Sequence, residues 1–193
     1  MRTVTDCDKV RPVKFDMNKN KMMYINTSSK QDVFDSVEEY LKSIDFPIRS
    51  IDNTRPWGGF FTFYEEAAPR FISQFYDKSQ VKPEDFPEGA ALSPKLLIVA
   101  PDQRLSWQYH FRRAEVWKCI FGNVTVRTSD TDEEKDSRIL QTGDMIKLAQ
   151  GERHRIIGND NFGIIAEIWQ HTDPNNPSNE DDIVRLQDDF GRK

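Results

Sequence analysis

Cysteine and histidine are both scarce in this chain, with two and three in 193 residues. Cys7 and Cys119 stand far apart and form no metal or redox motif, which excludes a cysteine-built centre. Cys119 alternates within an apolar run and reads as a small core residue. No stretch approaches the roughly 18 apolar residues of a membrane span. Residues 1–10 lack the apolar segment of a signal peptide, so a reducing cytoplasm is the expected compartment. There is no Gly-rich phosphate loop, and no self-similar period of roughly 20–50 residues. Positive charge does not dominate: 27 Lys and Arg face 32 Asp and Glu, for a net charge of −5. A general nucleic-acid binder would show a basic face, so neither nucleic acid nor membrane is an expected partner. What remains is a soluble composition, 37% hydrophobic and 31% charged, long enough to bury the core of one domain.

The histidines are His110, His154 and His171, and the first two sit in stretches that suggest chemistry. One stretch is Ser106-Trp107-Gln108-Tyr109-His110-Phe111-Arg112-Arg113-Ala114-Glu115, followed by Gly122. The other is Gly151-Glu152-Arg153-His154. Apolar runs at residues 96–100 and 116–121 flank the first stretch and read as strands. Residues two apart on a strand share a face, so Gln108 and His110 project together. Glu115 stands at odd separation from His110, so a turn or bulge near residues 112–114 is required to bring it to the same side. An amide, an imidazole and a carboxylate suit one borderline divalent ion, Zn first, with Mn, Fe, Co or Ni as alternatives. His154 would be the fourth protein ligand. Such a set leaves room for water or substrate, as a catalytic site requires. Spacing alone fits equally well a satisfied core histidine beside a surface acid.

The pattern resembles the first cupin motif, with ligands on alternate residues, a Glu after four more, and a later Gly: here Gln108, His110, Glu115 and Gly122. Gly143, Ala149-Gln150-Gly151 and His154 resemble the second motif, with Ala149 where Pro is usual and Asn159 displaced by one. Gln at the first ligand position, with Arg113-Ala114-Glu115 closing the motif, is similar to the cupin-type phosphomannose isomerases. Arg55-Pro56-Trp57-Gly58 and Gly151-Glu152-Arg153-His154-Arg155 resemble further blocks of that family. So do Glu180-Asp181-Asp182-Ile183-Val184-Arg185 and Asp188-Asp189-Phe190-Gly191-Arg192 near the C-terminus. The likeness covers about residues 54–193. It departs at Phe111 and Arg112, where the isomerases usually carry histidines, and in a longer Pro/Asn-rich loop at 171–179. No guanylyltransferase domain accompanies it in this sequence.

The resemblance implies an all-β, cupin-like double-stranded β-helix, a jelly-roll barrel at 54–193 with a C-terminal tail. An N-terminal arm at 1–53 would carry one helix. That helix is expected from Asp32 to Ile44, where Val33, Val37, Leu41 and Ile44 recur at helical spacing behind a cap at Ser29 or Asp32. Strands are expected at 96–100, 106–111, 116–127, 138–141, 144–148, 154–157 and 163–170, with an aromatic strand at 60–64. The proline-marked stretch 77–94 reads as a loop and the acidic run 130–136 as a solvated hairpin tip. Residues 181–190 settle as neither helix nor strand.

The implied reaction is aldose–ketose isomerisation of a sugar phosphate through an enediol. Glu167, which alternates inward with Ile165 and Trp169, or a metal-bound water, would move the proton. Arg185 would be the active-site cation and Arg55 and Arg112 would bind substrate. Other cupin sugar chemistry, epimerisation or isomerisation of a pentose, is the alternative, as is a non-catalytic sugar-binding module. Cupins often pair through their sheets, which implies a possible homodimer.

Overall fold

The computed structural model describes residues 10–13, 22–86 and 90–192. Cys7 and most of the segment 1–10 lie outside these residues. Short strands β1 (Val10–Val13) and β2 (Met23–Asn26) form an antiparallel pair. Helix α1 (Lys30–Ser43) begins as its sequence dictates: the Ser29 hydroxyl accepts from the Asp32 backbone N–H at 3.1 Å. Its buried stripe is Val33, Phe34, Val37, Tyr40 and Leu41.

Among the described residues, eleven further strands build two sheets. In chain order they are β3 (Ile48–Asp52), β4 (Gly58–Phe63), β5 (Leu92–Val99), β6 (Trp107–His110), β7 (Arg113–Phe121) and β8 (Asn123–Ser129). Then come β9 (Asp136–Gln141), β10 (Met145–Leu148), β11 (Arg153–Gly158), β12 (Gly163–His171) and β13 (Ile183–Gln187). A second helix, α2 (Ala68–Phe75), lies between β4 and β5. The six-stranded sheet has the order β10-β7-β12-β5-β4-β3 and the five-stranded sheet β13-β6-β11-β8-β9. All pairings are antiparallel. This is the expected all-β jelly roll.

Alternation on the strands divides the core in two. Leu97, Val99, Trp117, Cys119 and Ile165 point into the barrel and meet Val124, Val126, Leu140 and Ile156 of the facing sheet. Their neighbours Leu96, Ile98, Ile120, Ile164 and Ile168 point outward, where α1 and α2 cover them with Val37, Leu41, Phe71 and Phe75. The middle strands of the six-stranded sheet are thus buried on both faces, which is why β5 and β12 read as continuous apolar runs. Phe71 is fully buried between Phe63, Phe75, Phe46 and Tyr76, with ring centroids at 5.3, 4.7, 6.3 and 6.5 Å. Phe71→Ala is therefore expected to lower unfolding free energy by about 3–5 kcal/mol, read from urea midpoints.

The structure departs from the sequence reading in several places. The stretch 116–127 is two strands, because Gly122 turns the chain at φ +68° from one sheet to the other. A Cβ there would meet the Phe162 carbonyl oxygen at 2.3 Å. The stretch 77–94 is not loop to its end, since β5 starts at Leu92 and Pro94 lies within it, opposite Ile168. The acidic run is, as expected, an exposed hairpin tip between β8 and β9, and two of its residues also meet the outer face of the five-stranded sheet. There Trp107 Nε1 donates to the Asp132 carbonyl at 2.6 Å and Arg155 Nη1 to Glu134 at 2.7 Å. The tail forms β13, which pairs with β6 and sets Arg185 opposite Gln108.

Candidate metal centre

The required turn is present. β6 ends at His110 and β7 begins at Arg113, so residues 111–112 carry the chain from the five-stranded sheet to the six-stranded one. His110 and Glu115 thereby face each other across the barrel interior. His154 arrives on β11, whose register sets it opposite Gln108. All three side chains are buried, and their ligand atoms lie within 4.8 Å of one another. The two imidazole Nε2 atoms are 3.2 Å apart. Glu115 Oε1 is 3.2 Å from His110 Nε2 and Oε2 is 3.6 Å from His154 Nε2.

The backs of the rings fix their fronts. His154 Nδ1 is 2.8 Å from the Glu152 carbonyl oxygen and His110 Nδ1 is 3.4 Å from that of Asp182. Carbonyls only accept, so each Nδ1 carries the hydrogen and each Nε2 turns a lone pair inward. Burial pushes His110 down to about 3 and also lowers His154, which keeps both rings neutral at physiological pH. For Glu115 burial works against ionisation, but the Arg113 guanidinium, charged and hydrogen-bonded to it, outweighs that and holds the carboxyl below its ordinary value. Two inward lone pairs and a carboxylate in one dry place attract positive charge, and the Arg113 guanidinium meets Glu115 Oε1 and His110 Nε2 from one side. Glu115 Oε2 is buried with no hydrogen-bond partner among the described residues, so the donor set fits a divalent ion.

Gln108 adjoins this group, with its Nε2 at 3.5 Å from His110 Nε2 and its Oε1 accepting from Ser106 Oγ at 2.5 Å. Reversing the amide would present the oxygen inward while the Ser106 hydroxyl accepts from the NH2. The third histidine serves elsewhere. His171 Nδ1 accepts from the Ser178 backbone N–H at 2.9 Å, and its Nε2 lies 2.8 Å from Ser93 Oγ.

A cavity opens beside the cluster, with Gln108 and Glu115 in its wall. Glu167 lines it on β12, its Oε1 accepting from Trp117 Nε1 at 2.9 Å. Burial, with the Glu115 charge next, pushes Glu167 up to about 8. Arg185 and Arg55 also line the cavity, and Arg55 is paired with Asp52 at 2.8 Å. Arg112 does not. It stands in the turn after His110 and points away from the cavity to Asp182, Asn176 and Asn179, tying down the 173–182 loop.

Three cations of the cavity wall escaped the sequence reading: Lys95, Arg113 and Arg192. Parity was the available signal, since Lys95 alternates inward with Leu97 and Arg113 with Glu115 and Trp117. The Lys95 Nζ lies 2.7 Å from Glu180 Oε1 and 3.3 Å over the Trp169 ring. Arg192 sits near Asp188 at 2.6 Å.

A family model described as mannose-6-phosphate isomerase C-terminal matches residues 80–188. A mannose-1-phosphate guanylyltransferase of Salmonella montevideo is 26% identical over 175 residues, which is 90% of this chain and 31% of that protein. The chain thus spans about a third of the length of this curated relative. Among solved structures, a mutant of Bacillus subtilis oxalate decarboxylase superposes with a TM-score of 0.50. It is 13% identical over 71% of this chain and 30% of its own, so it supports the barrel fold alone. Among the described residues, no helix is long and apolar enough to cross a membrane.

Proposed function

The chain belongs to the mannose-6-phosphate isomerase C-terminal family of the cupin superfamily, and we propose that it interconverts an aldose phosphate and its ketose through an enediol, with one divalent metal ion. Charge placement carries this reading. The chain as a whole is negative, yet among the described residues five cations (Arg55, Lys95, Arg113, Arg185 and Arg192) line the cavity with three carboxylates (Glu115, Glu167 and Glu180), while Asp52 and Asp188 pair with Arg55 and Arg192 beside it. Glu167, raised to about 8, is largely uncharged at neutral pH, which tips the balance of these groups to positive. A phosphorylated sugar matches that imbalance, and a neutral ligand does not.

His110 Nε2, His154 Nε2 and Glu115 Oε2 would hold the metal, with Gln108 as the fourth ligand. When bound, the ion supplies polarisation of the sugar's carbonyl and hydroxyl oxygens. Glu167 carries the proton between adjacent carbons. Its raised value lies in the range where a carboxyl both holds and releases a proton near neutral pH. Arg185, set by β13 opposite Gln108, places fixed positive charge where negative oxygen develops. Arg55 and Arg192 bind the phosphate. Trp57 and Trp169, both buried, wall the site off from water.

The testing experiment compares metal-reconstituted protein on paired free and phosphorylated pentoses, hexoses and heptoses. Phosphorylated aldoses are expected to isomerise with a kcat/KM about 100-fold or more above that of the free sugars. Isomerisation of none of them by fully metal-loaded protein, or a preference for free sugars, overturns the proposal. Within it, Arg55→Ala is expected to raise KM for the phosphorylated substrate about tenfold with kcat nearly unchanged, as loss of uniform binding does.

A further inference from the structure

Arg113 reaches the ligand atoms themselves. Its Nε donates to Glu115 Oε1 at 2.7 Å, and its Nη2 lies 3.0 Å from His110 Nε2. The guanidinium is held from behind. Nη1 donates to Ser178 Oγ at 2.9 Å and to the Asn179 carbonyl at 3.2 Å. Its central carbon sits 3.4 Å over the Trp169 ring. Since β12 runs between β7 and β5, Lys95 takes the other face of that ring. Arg113 is almost wholly buried, so water does not compete for these contacts. The two oxygens of Glu115 are therefore unlike: Oε1 has a fixed cationic donor and Oε2 has no hydrogen-bond partner among the described residues.

We propose that Arg113 is a positioning residue that keeps Glu115 Oε1 out of the metal's coordination, so that the metal is held less tightly and positions stay open for sugar oxygens. The proposal rests on the metal-dependent reading above. Three physical effects act in one direction. A charged donor on a carboxylate withdraws electron density from the ligand, the opposite of what the carbonyls behind the two histidines do. A fixed positive charge beside a divalent ion in a buried site adds repulsion that little solvent screens. A carboxylate that binds through one oxygen fills one position rather than two, leaving the open sites that catalysis by a metal needs.

The experiment measures zinc affinity, by competition with a chromogenic chelator, and turnover for wild type, Arg113→Met and Arg113→Lys. Methionine keeps an apolar stem against Trp169 but removes the charge and the donors. Arg113→Met is expected to bind zinc about tenfold or more tightly than wild type, while kcat falls by about tenfold or more. Arg113→Lys, which keeps charge without the planar fork, is expected to lie between. A merely structural arginine would lower both quantities together. Unchanged or weaker zinc binding by folded Arg113→Met overturns the proposal. If Arg113→Met is insoluble, Arg113→Lys decides: tighter binding than wild type sustains the proposal, and equal or weaker binding overturns it. Absence of zinc binding by wild type overturns the metal-dependent reading as well, which separates that failure from failure of the Arg113 role alone.

Discussion

Glu167→Gln is expected to lower kcat by about 10²–10⁴-fold while metal content stays at the wild-type level. Glutamine has the shape of the protonated carboxyl, and its oxygen still accepts from Trp117 Nε1, so the wall of the cavity keeps its geometry. What it lacks is a proton to exchange. Stability supplies an independent readout. The folded-state value of Glu167 is raised from 4.5 to about 8, so ionising it works against folding. The stability of metal-free wild type relative to Glu167→Gln is therefore greatest below about pH 4.5 and is lost progressively as pH rises through about 8. Urea midpoints across that window should show the variant gaining on wild type. Normal turnover, or inactivity explained by unfolding, removes Glu167 from the reaction.

The paired substitution His110→Ala with His154→Ala is expected to weaken metal binding by at least about 100-fold and to abolish turnover. Each ring contributes a lone pair that no neighbouring side chain can replace, because the surrounding groups are a donor, Arg113, and an already engaged carboxylate. Both histidines are neutral in the fold, so their removal deletes no ion pair, and the barrel core around Val126, Ile156 and Ile165 is untouched. Wild type should gain thermal stability on metal addition, as any ligand of the folded state confers. The double variant should gain none. Retention of a full equivalent of metal by the folded double variant would show that the ion binds elsewhere.

The His110–Glu115–His154 cluster was legible in two steps: strand parity gave part of it, though spacing alone fitted a core histidine equally well, and the motif resemblance joined His154 to it. Gln108 and His110 had to share a face, and the odd step to Glu115 had to be absorbed by a turn, which residues 111–112 supply. The middle strands of the six-stranded sheet were legible for a different reason: burial on both faces leaves long apolar runs with no polar alternation. The same property hid Lys95. A lysine at the head of such a run reads as its boundary, because buried lysines are rare without a partner, and the partner, Glu180, lies 85 residues away. β13 was illegible because four of its five residues are only partly buried and its pairing with β6 is non-local. The exposed acidic tip owes its position to Trp107 and Arg155, whose outward-facing side chains need partners that no local pattern announces. Arg112 and Arg113 are adjacent and chemically alike. Which of them enters the barrel was decided by where β7 begins.

The most direct test strips the wild-type protein of metal, adds zinc or manganese back in known increments, and follows both binding and isomerisation of a phosphorylated aldose. The account predicts that turnover rises in proportion to metal and stops at about one equivalent per chain, the capacity of a single three- or four-ligand site. Turnover that is independent of metal, or a saturated site that isomerises no sugar phosphate, would contradict it.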